Sequence, residues 1–279
     1  MSFDKIMKVA FVCVNYSGGS ITKSYIESLV IARNDREFDM NIFVVDNSPL
    51  PDLDLMEYCN SIDTCHYIRS NLNEGYFAGL NLGLKNLAQQ YDYVIVSNND
   101  LVFDVNFCIR LKDINLHNDV QVLCPNIINL DNFHQNPHHL KPISKFKIFT
   151  FDLYFTGFYI SKFVAALSQF YKVVSKRNDC TLNQKPTYVT QGVGACYILT
   201  KRFFNKHTEL YFPSFLYCEE AALSWQVHSS GGKIFYDPSL LVIHHESSSL
   251  SKNSSFKNYS YAKASYWKIR HLLKEDVYE

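Results

Sequence analysis

The chain has 279 residues, 47% of them apolar, which suits one large α/β domain with a sizeable core. Lysine plus arginine equals aspartate plus glutamate at 27 each, so the formal charge is zero and there is no global basic field to hold nucleic acid. No apolar run reaches membrane-spanning length, residues 1–8 lack the regions of a signal peptide, and the eight cysteines include no CxxC pair; the expectation is a cytoplasmic chain with reduced, mostly buried thiols.

In chain order, residues 8–14, apolar from Val9 onward, end at Asn15, the pattern of a buried strand. Residues 20–33 carry Ile21, Tyr25, Leu29 and Ala32 at helical spacing, with Ser20 as the expected N-cap. A strand over 41–45 ends at Asp46. A helix over 53–60, a strand over 65–69, a loop over 71–75 and a helix over 77–90 follow. The strand 93–97 runs into the polar turn Asn98-Asn99-Asp100. A helix over 106–116 and a strand over 120–124 continue the alternation, which predicts an α/β fold with a mostly parallel sheet and helices on both faces.

Residues 126–185 break the pattern and read as an insertion. Its 131–139 part is polar and rich in Asn and His, and its 146–174 part is crowded with aromatics. Regular structure resumes with strands over 187–190 and 195–200 and helices over 201–206 and 219–230, the latter stopped by Gly231-Gly232. Short strands over 233–236 and 240–244 and an amphipathic helix over 260–274 complete the chain.

Three places combine residue type with an element boundary. Asp100 sits at the carboxyl end of a strand, where open α/β sheets bind ligands. A carboxylate there can share a divalent cation with a diphosphate, or simply end the strand in an Asx turn. Cys218-Glu219-Glu220 opens a helix, where the dipole favours acids and where a carboxylate can also take a proton from a hydroxyl. His244-His245 follow a strand; neutral imidazole suits Mn2+ better than Mg2+, and neighbouring side chains on an extended chain point oppositely, so one of the two serves. His134, His138 and His139 read as part of a solvated loop, with acceptor contact as the alternative.

These stretches, taken in order, resemble family-2 glycosyltransferases with the GT-A fold, in particular bacterial rhamnosyltransferase-like enzymes of surface polysaccharide (O-antigen) biosynthesis. Val12-Cys13-Val14-Asn15-Tyr16 with Val44-Val45-Asp46-Asn47-Ser48 looks like the nucleotide-binding opening. Asn73-Glu74-Gly75-Tyr76-Phe77-Ala78-Gly79 looks like the family's Asn-x-Gly-aromatic-Ala-Gly loop. Ser97-Asn98-Asn99-Asp100 stands where the Asp-x-Asp motif belongs, with Asn98 in place of its first acid. Gln191-Gly192-Val193-Gly194-Ala195 and Phe215-Leu216-Tyr217-Cys218-Glu219-Glu220 look like the acceptor-side loop and the catalytic Glu-Asp motif, here Glu-Glu.

The resemblance implies an inverting transfer from a UDP- or dTDP-linked sugar to a hydroxyl of a lipid-linked glycan at the inner face of the cell membrane, with Mn2+ or Mg2+ as cofactor. It implies Asp100 and His244 or His245 on the metal, with Ser247 to Ser249 nearby, and Glu220 in preference to Glu219 as base. Asn15, Asp46, Asn73, Gly75, Asn98, Asn99, Gly194 and Arg270 would meet the nucleotide sugar, although Asp46 and Gly75 could be turn residues and Arg270 an exposed helical arginine. Residues 1–125 would form the nucleotide-sugar half, 126–185 the insertion and 186–279 the acceptor half. A non-catalytic GT-A module that only binds nucleotide or sugar is the competing reading. The aromatics of 146–174 would form an extra helical layer, or else a membrane-surface contact, given the interleaved Lys141, Lys145, Lys147, Lys162, Lys172, Lys176 and Arg177.

Overall fold

The computed structural model describes residues 6–33, 37–87, 89–174, 185–245, 256–275 and 277. β1 (Met7–Asn15), α1 (Gly19–Ala32), β2 (Phe38–Asp46), α2 (Leu53–Asn60), β3 (Cys65–Arg69), α3 (Tyr76–Lys85) and β4 (Tyr93–Asn98) alternate as their apolar pattern requires. The four strands pair in parallel in the order β3-β2-β1-β4. β1 is buried on both faces because its alternate residues meet different helices. Val9, Phe11 and Cys13 pack with Tyr25, Ile26 and Leu29 of α1 and with Leu55 of α2. Ala10 and Val12 pack with Phe77, Leu80 and Leu84 of α3.

β5 (Leu101–Phe103), α4 (Phe107–Asp113), β6 (Val120–Asn129), α5 (Lys145–Tyr154), α6 (Phe158–Val174), β7 (Thr187–Val189), β8 (Cys196–Thr200), α7 (Lys201–Phe204), α8 (Glu219–Ser229), β9 (Lys233–His244) and α9 (Phe256–Ile269) follow. Among the described residues one nine-stranded sheet results, ordered β3-β2-β1-β4-β8-β6-β9-β5, with β7 pairing to β9. β8, β5 and β7 run against the other strands, so the sheet is mostly parallel. Among the described residues no helix is long and apolar enough to cross a membrane.

Several expected boundaries move, each for a local reason. β9 is one strand rather than two: its register against β6 jumps from Pro125↔Asp237 to Asn126↔Leu241, so the residues between are absorbed as a bulge. Asp237 closes that bulge by accepting the Ser239 N–H at 2.9 Å and its hydroxyl at 2.6 Å. β5, three residues long, gives too short a pattern to read. β6 runs on to Asn129, into the segment expected as an insertion. α1 begins at Gly19 behind Gly18, with Ser20 exposed and not its cap. Asn15 Oδ1 does the anchoring instead, accepting the Gly18 N–H at 3.0 Å and the Thr22 hydroxyl at 3.1 Å.

The aromatic stretch forms the α5–α6 hairpin, and one side of it packs on α9. Phe155 stacks on Tyr266 at 4.6 Å between centroids, and Phe158 meets Tyr259 edge-on at 5.3 Å. Tyr266 also donates its hydroxyl to Asp152 at 2.6 Å. Ser247 to Ser249, Lys176 and Arg177 lie outside the described residues, as does the Lys172 side chain.

Candidate active site

The carboxyl ends of β1, β2 and β4 converge on one polar network. Asp46 is fully buried, and each carboxylate oxygen has three donors. Oδ1 accepts from Asn15 Nδ2 (3.0 Å), the Ser48 hydroxyl (2.5 Å) and the Ser48 N–H (3.1 Å). Oδ2 accepts from the Tyr67 hydroxyl (2.5 Å), Arg69 Nη1 (3.1 Å) and the Asp52 N–H (3.1 Å). Burial raises the Asp46 pKa, but the hydrogen bonds from Ser48, Tyr67 and the Asp52 backbone outweigh it and hold the carboxyl below its ordinary value. In this structure Asp46 therefore fixes a corner and presents no surface, where the sequence suggested contact with base or ribose. Asn15 is also fully buried and engaged. Asn99 donates to Thr22 Oγ1 at 2.7 Å, which continues the chain Asn99, Thr22, Asn15, Asp46. That network, with the Asn98 N–H on the Ala195 carbonyl at 2.8 Å, sets the turn that ends in Asp100.

Gly75 joins the first half of the chain to the second. Its φ of +109° is open to glycine, and a Cβ there would stand 2.0 Å from the Phe215 carbonyl oxygen. The Tyr76 N–H donates to that same oxygen at 3.3 Å. Asn73 supports the loop by accepting the Gly75 N–H at 3.1 Å. The 71–75 loop and the start of α3 are thus clasped to the segment that leads into Glu219.

The pairing of β5 with β9 places Leu101 opposite His244, and so sets Asp100 beside the end of β9. His244 Nε2 lies 3.2 Å from Asp100 Oδ1, and Nδ1 lies 2.9 Å from Gln135 Oε1. An amide oxygen only accepts, so Nδ1 carries the proton. Nε2 faces the Asp100 carboxylate oxygen, and at that distance either a ring proton or a cation lies between the two atoms. The donor set, one imidazole nitrogen and one carboxylate, therefore fits a divalent cation that a diphosphate and water would complete. His245 is exposed and contributes its backbone N–H to the Asp100 carbonyl at 3.0 Å, so the histidine beside Asp100 is His244. Among the described residues there is no cluster of three or more His, Cys, Asp or Glu fit to hold a metal alone.

Gln135 comes from the Asn- and His-rich stretch expected as a solvated loop. The structure corrects that expectation. The 131–139 segment is stitched to the acceptor-side loop: Asn136 Oδ1 accepts the Val193 N–H at 3.0 Å, and His139 exchanges backbone hydrogen bonds with Gln191. His134 bonds Asn126 at 2.8 Å. No local pattern marks Gln135, because its partner is 109 residues away.

Glu219 and Glu220 form the first turn of α8, behind Tyr217 (φ 72°) and Cys218 (φ 69°). Two successive non-glycine residues in the left-handed region cost about 1–3 kcal/mol each, a strain seen mostly at functional sites. Glu219 is buried, and its Oε1 accepts the Tyr217 N–H at 2.9 Å, which holds the turn. Burial, then the negative neighbour Glu220, pushes the Glu219 pKa up to about 8. Glu220 is less buried, and its Oε1 lies 3.3 Å from the Gly194 N–H. The Gly194 carbonyl in turn accepts the Tyr76 hydroxyl at 3.4 Å, tying the two loops and the glutamates together. α9 braces the same segment through Ser265, whose hydroxyl lies 2.5 Å from the Leu216 carbonyl.

Arg270, just past α9, forms a two-pronged ion pair with Asp152 of α5 and stacks over Trp267 at 5.5 Å. Its guanidinium thus holds the hairpin to α9, where the sequence suggested a phosphate contact.

The family model described as "Glycosyl transferase family 2" matches residues 15–175, which is 161 of the 279 residues. The chain belongs to glycosyl transferase family 2. Solved structures of the same fold agree. A crystal structure of GalNAc-T7 with UDP, GalNAc and Mn2+ superposes with a TM-score of 0.58 at 16% identity, over 96% of this chain and 49% of that one. The S. aureus TarS 1–349 structure gives a TM-score of 0.54 at 11% identity, over 86% of this chain and 60% of that one. A second S. aureus TarS structure gives 0.54 at 12%, over 86% and 37%. The chain therefore spans about half the length of the GalNAc-T7 chain it resembles. At these identities the likeness is one of fold, the GT-A arrangement of the family. No curated protein matches the chain.

Proposed function

We propose that this family-2 glycosyltransferase moves one sugar, with inversion, from a UDP- or dTDP-linked donor to a hydroxyl of a lipid-linked glycan in surface polysaccharide assembly. The observation that carries the reading is the Asp100–His244 pair, a carboxylate oxygen and an imidazole nitrogen 3.2 Å apart beside a strand end, two atoms placed to share a cation. Asp100 and His244 would hold Mn2+ or Mg2+, with the imidazole favouring Mn2+. When bound, the metal offsets the charge that builds on the leaving diphosphate. GalNAc-T7, a neighbour in fold, was solved with UDP and Mn2+, which supports that choice.

Glu220 takes the proton of the acceptor hydroxyl as that oxygen bonds to the anomeric carbon. The bond from that carbon to the diphosphate oxygen breaks, and its electron pair leaves with the diphosphate. The Gly194 N–H steers the Glu220 carboxylate. Glu219, neutral through most of the physiological range, holds the Tyr217-Cys218 turn that aims its neighbour. Asn73 and Gly75 shape the loop beneath the nucleotide, and Asn98 stands next to the metal pair. Asn15, Asp46 and Asn99 act through the buried network that fixes the Asp100 turn. A lipid-linked acceptor would place the protein at the inner face of the cell membrane, bound peripherally.

The test is to incubate the enzyme with radiolabelled UDP- and dTDP-sugars and a membrane extract holding lipid-linked acceptors. Metal-dependent label in the lipid fraction from one donor, lost with Glu220→Gln, is the expected result. Donors that bind yet never transfer would favour a non-catalytic binding module.

A further inference from the structure

We propose that the α5–α6 hairpin is an in-plane anchor that docks the enzyme on an anionic lipid surface. The inference deepens, and rests on, the reading of a lipid-linked acceptor, but it stands on its own geometry.

The inner side of the hairpin is satisfied by α9. Ile148 and Phe155 are buried, Asp152 pairs with Arg270, and Phe158 meets Tyr259. The opposite side of each helix carries an apolar stripe that is exposed among the described residues. On α5 the stripe is Phe146 (78% exposed), Phe149 (64%) and Leu153, spaced three and four residues apart. On α6 it is Tyr159 (84%), Phe163 (66%) and Leu167, spaced four and four apart. Scattered single apolar residues need no explanation, but two adjacent helical stripes of large rings mark an interaction surface.

The charge around the stripes selects the partner. Between residues 141 and 167 the cations are Lys141, Lys145, Lys147 and Lys162, and the single acid is Asp152, already paired with Arg270. The hairpin is therefore positive in a chain whose formal net charge is zero. Lys162 is exposed and sets its ammonium 4.7 Å from the Phe158 ring centroid, a cation–π contact at the edge of the hairpin. Aromatic and aliphatic residues on one side with lysines along the rim are what an interfacial helix presents to anionic headgroups. A second copy of this chain is the poorer occupant, because two such faces would bring lysines against lysines. No described helix spans a bilayer, which leaves lying in the interface as the mode of contact.

The test is sedimentation of the full chain with vesicles at about 0.15 M salt, comparing pure phosphatidylcholine with about 30% phosphatidylglycerol. Two variants are run beside it, Phe149→Ser with Phe163→Ser and Lys145→Glu with Lys162→Glu. All four side chains are exposed, Lys162 touching the rim ring Phe158, and melting temperature and nucleoside diphosphate binding check the fold and the donor site. The parent should bind anionic vesicles and bind neutral ones roughly tenfold less, and each variant should lose about tenfold or more. No vesicle binding by the parent, or unchanged binding by both variants, overturns the proposal. So does a serine variant that turns a dimer into a monomer while vesicle binding stays the same. Nucleotide binding reads the transferase separately, so failure of one leaves the other standing.

Discussion

Gln135 accepts the Nδ1 proton of His244 at 2.9 Å, and the opposite ring nitrogen faces Asp100 at 3.2 Å. The amide thereby orients the ring so that Nε2 faces Asp100. Outer partners of this kind typically govern metal affinity by about 10–100-fold. Gln135→Leu should weaken Mn2+ binding by about that factor, whereas Gln135→Glu, which still accepts the proton, should keep it. Calorimetric titration of Mn2+ in the presence of a nucleoside diphosphate measures both. A Gln135→Leu protein that holds Mn2+ as tightly as the parent would remove His244 from the metal site.

The two glutamates of α8 should separate in kinetics. Glu220→Gln should lose about 10²–10⁴-fold in kcat, the usual weight of a general base, while donor binding is kept. Glu219→Gln replaces a largely neutral carboxylic acid by a neutral amide and should cost far less. Steady-state rates of both variants decide it, and a reversed order would assign the base to Glu219.

Glu219 also sets a pH dependence of stability. Its folded pKa, about 8, lies above its ordinary value of 4.5. Below pH 4.5 both folded and unfolded chains carry the proton, so the group costs nothing. As pH rises toward about 8 the folded state binds more protons than the unfolded one, so stability falls across that window. Glu219→Gln should flatten the decline of melting temperature between about pH 5 and about 9 and leave the variant relatively more stable at the alkaline end. Parallel curves for parent and variant would mean that Glu219 is charged in the folded protein.

Gly75→Ala tests the clasp between the nucleotide loop and the glutamate loop. A methyl at +109° that meets the Phe215 carbonyl oxygen at 2.0 Å forces either loop to move. A loss of at least about 2 kcal/mol in denaturant stability is expected, with reduced turnover even where the protein is folded. Full stability and rate in this variant would show that the clasp is dispensable.

Sequence pattern reached the first half of the fold well, because β1 to β4 are apolar runs between clear helical stripes. The helix over 53–60 and the strand over 65–69 coincide with α2 and β3. It missed features set by distant partners. β5 exists through its pairing with the end of β9, and the α1 anchor is Asn15 rather than Ser20 because the β1 strand end reaches over the helix start. In the candidate site, Asp100, His244 and the Glu219-Glu220 pair were legible as acids and imidazoles at element ends. Their arrangement was not. Gln135 sits in a stretch that composition alone assigns to solvent, and the inward roles of Asp46 and Arg270 depend on Tyr67, Arg69 and Asp152, which no motif joins to them.

The most direct measurement is calorimetric binding of UDP and dTDP with Mn2+ and with chelator, for the parent, Asp100→Asn, His244→Ala and His245→Ala. One nucleotide should bind in a metal-dependent way, weakened about tenfold or more by Asp100→Asn and His244→Ala and unchanged by His245→Ala. Binding that ignores the chelator, or that is equal in all four proteins, would contradict the metal site on which this account of the enzyme depends.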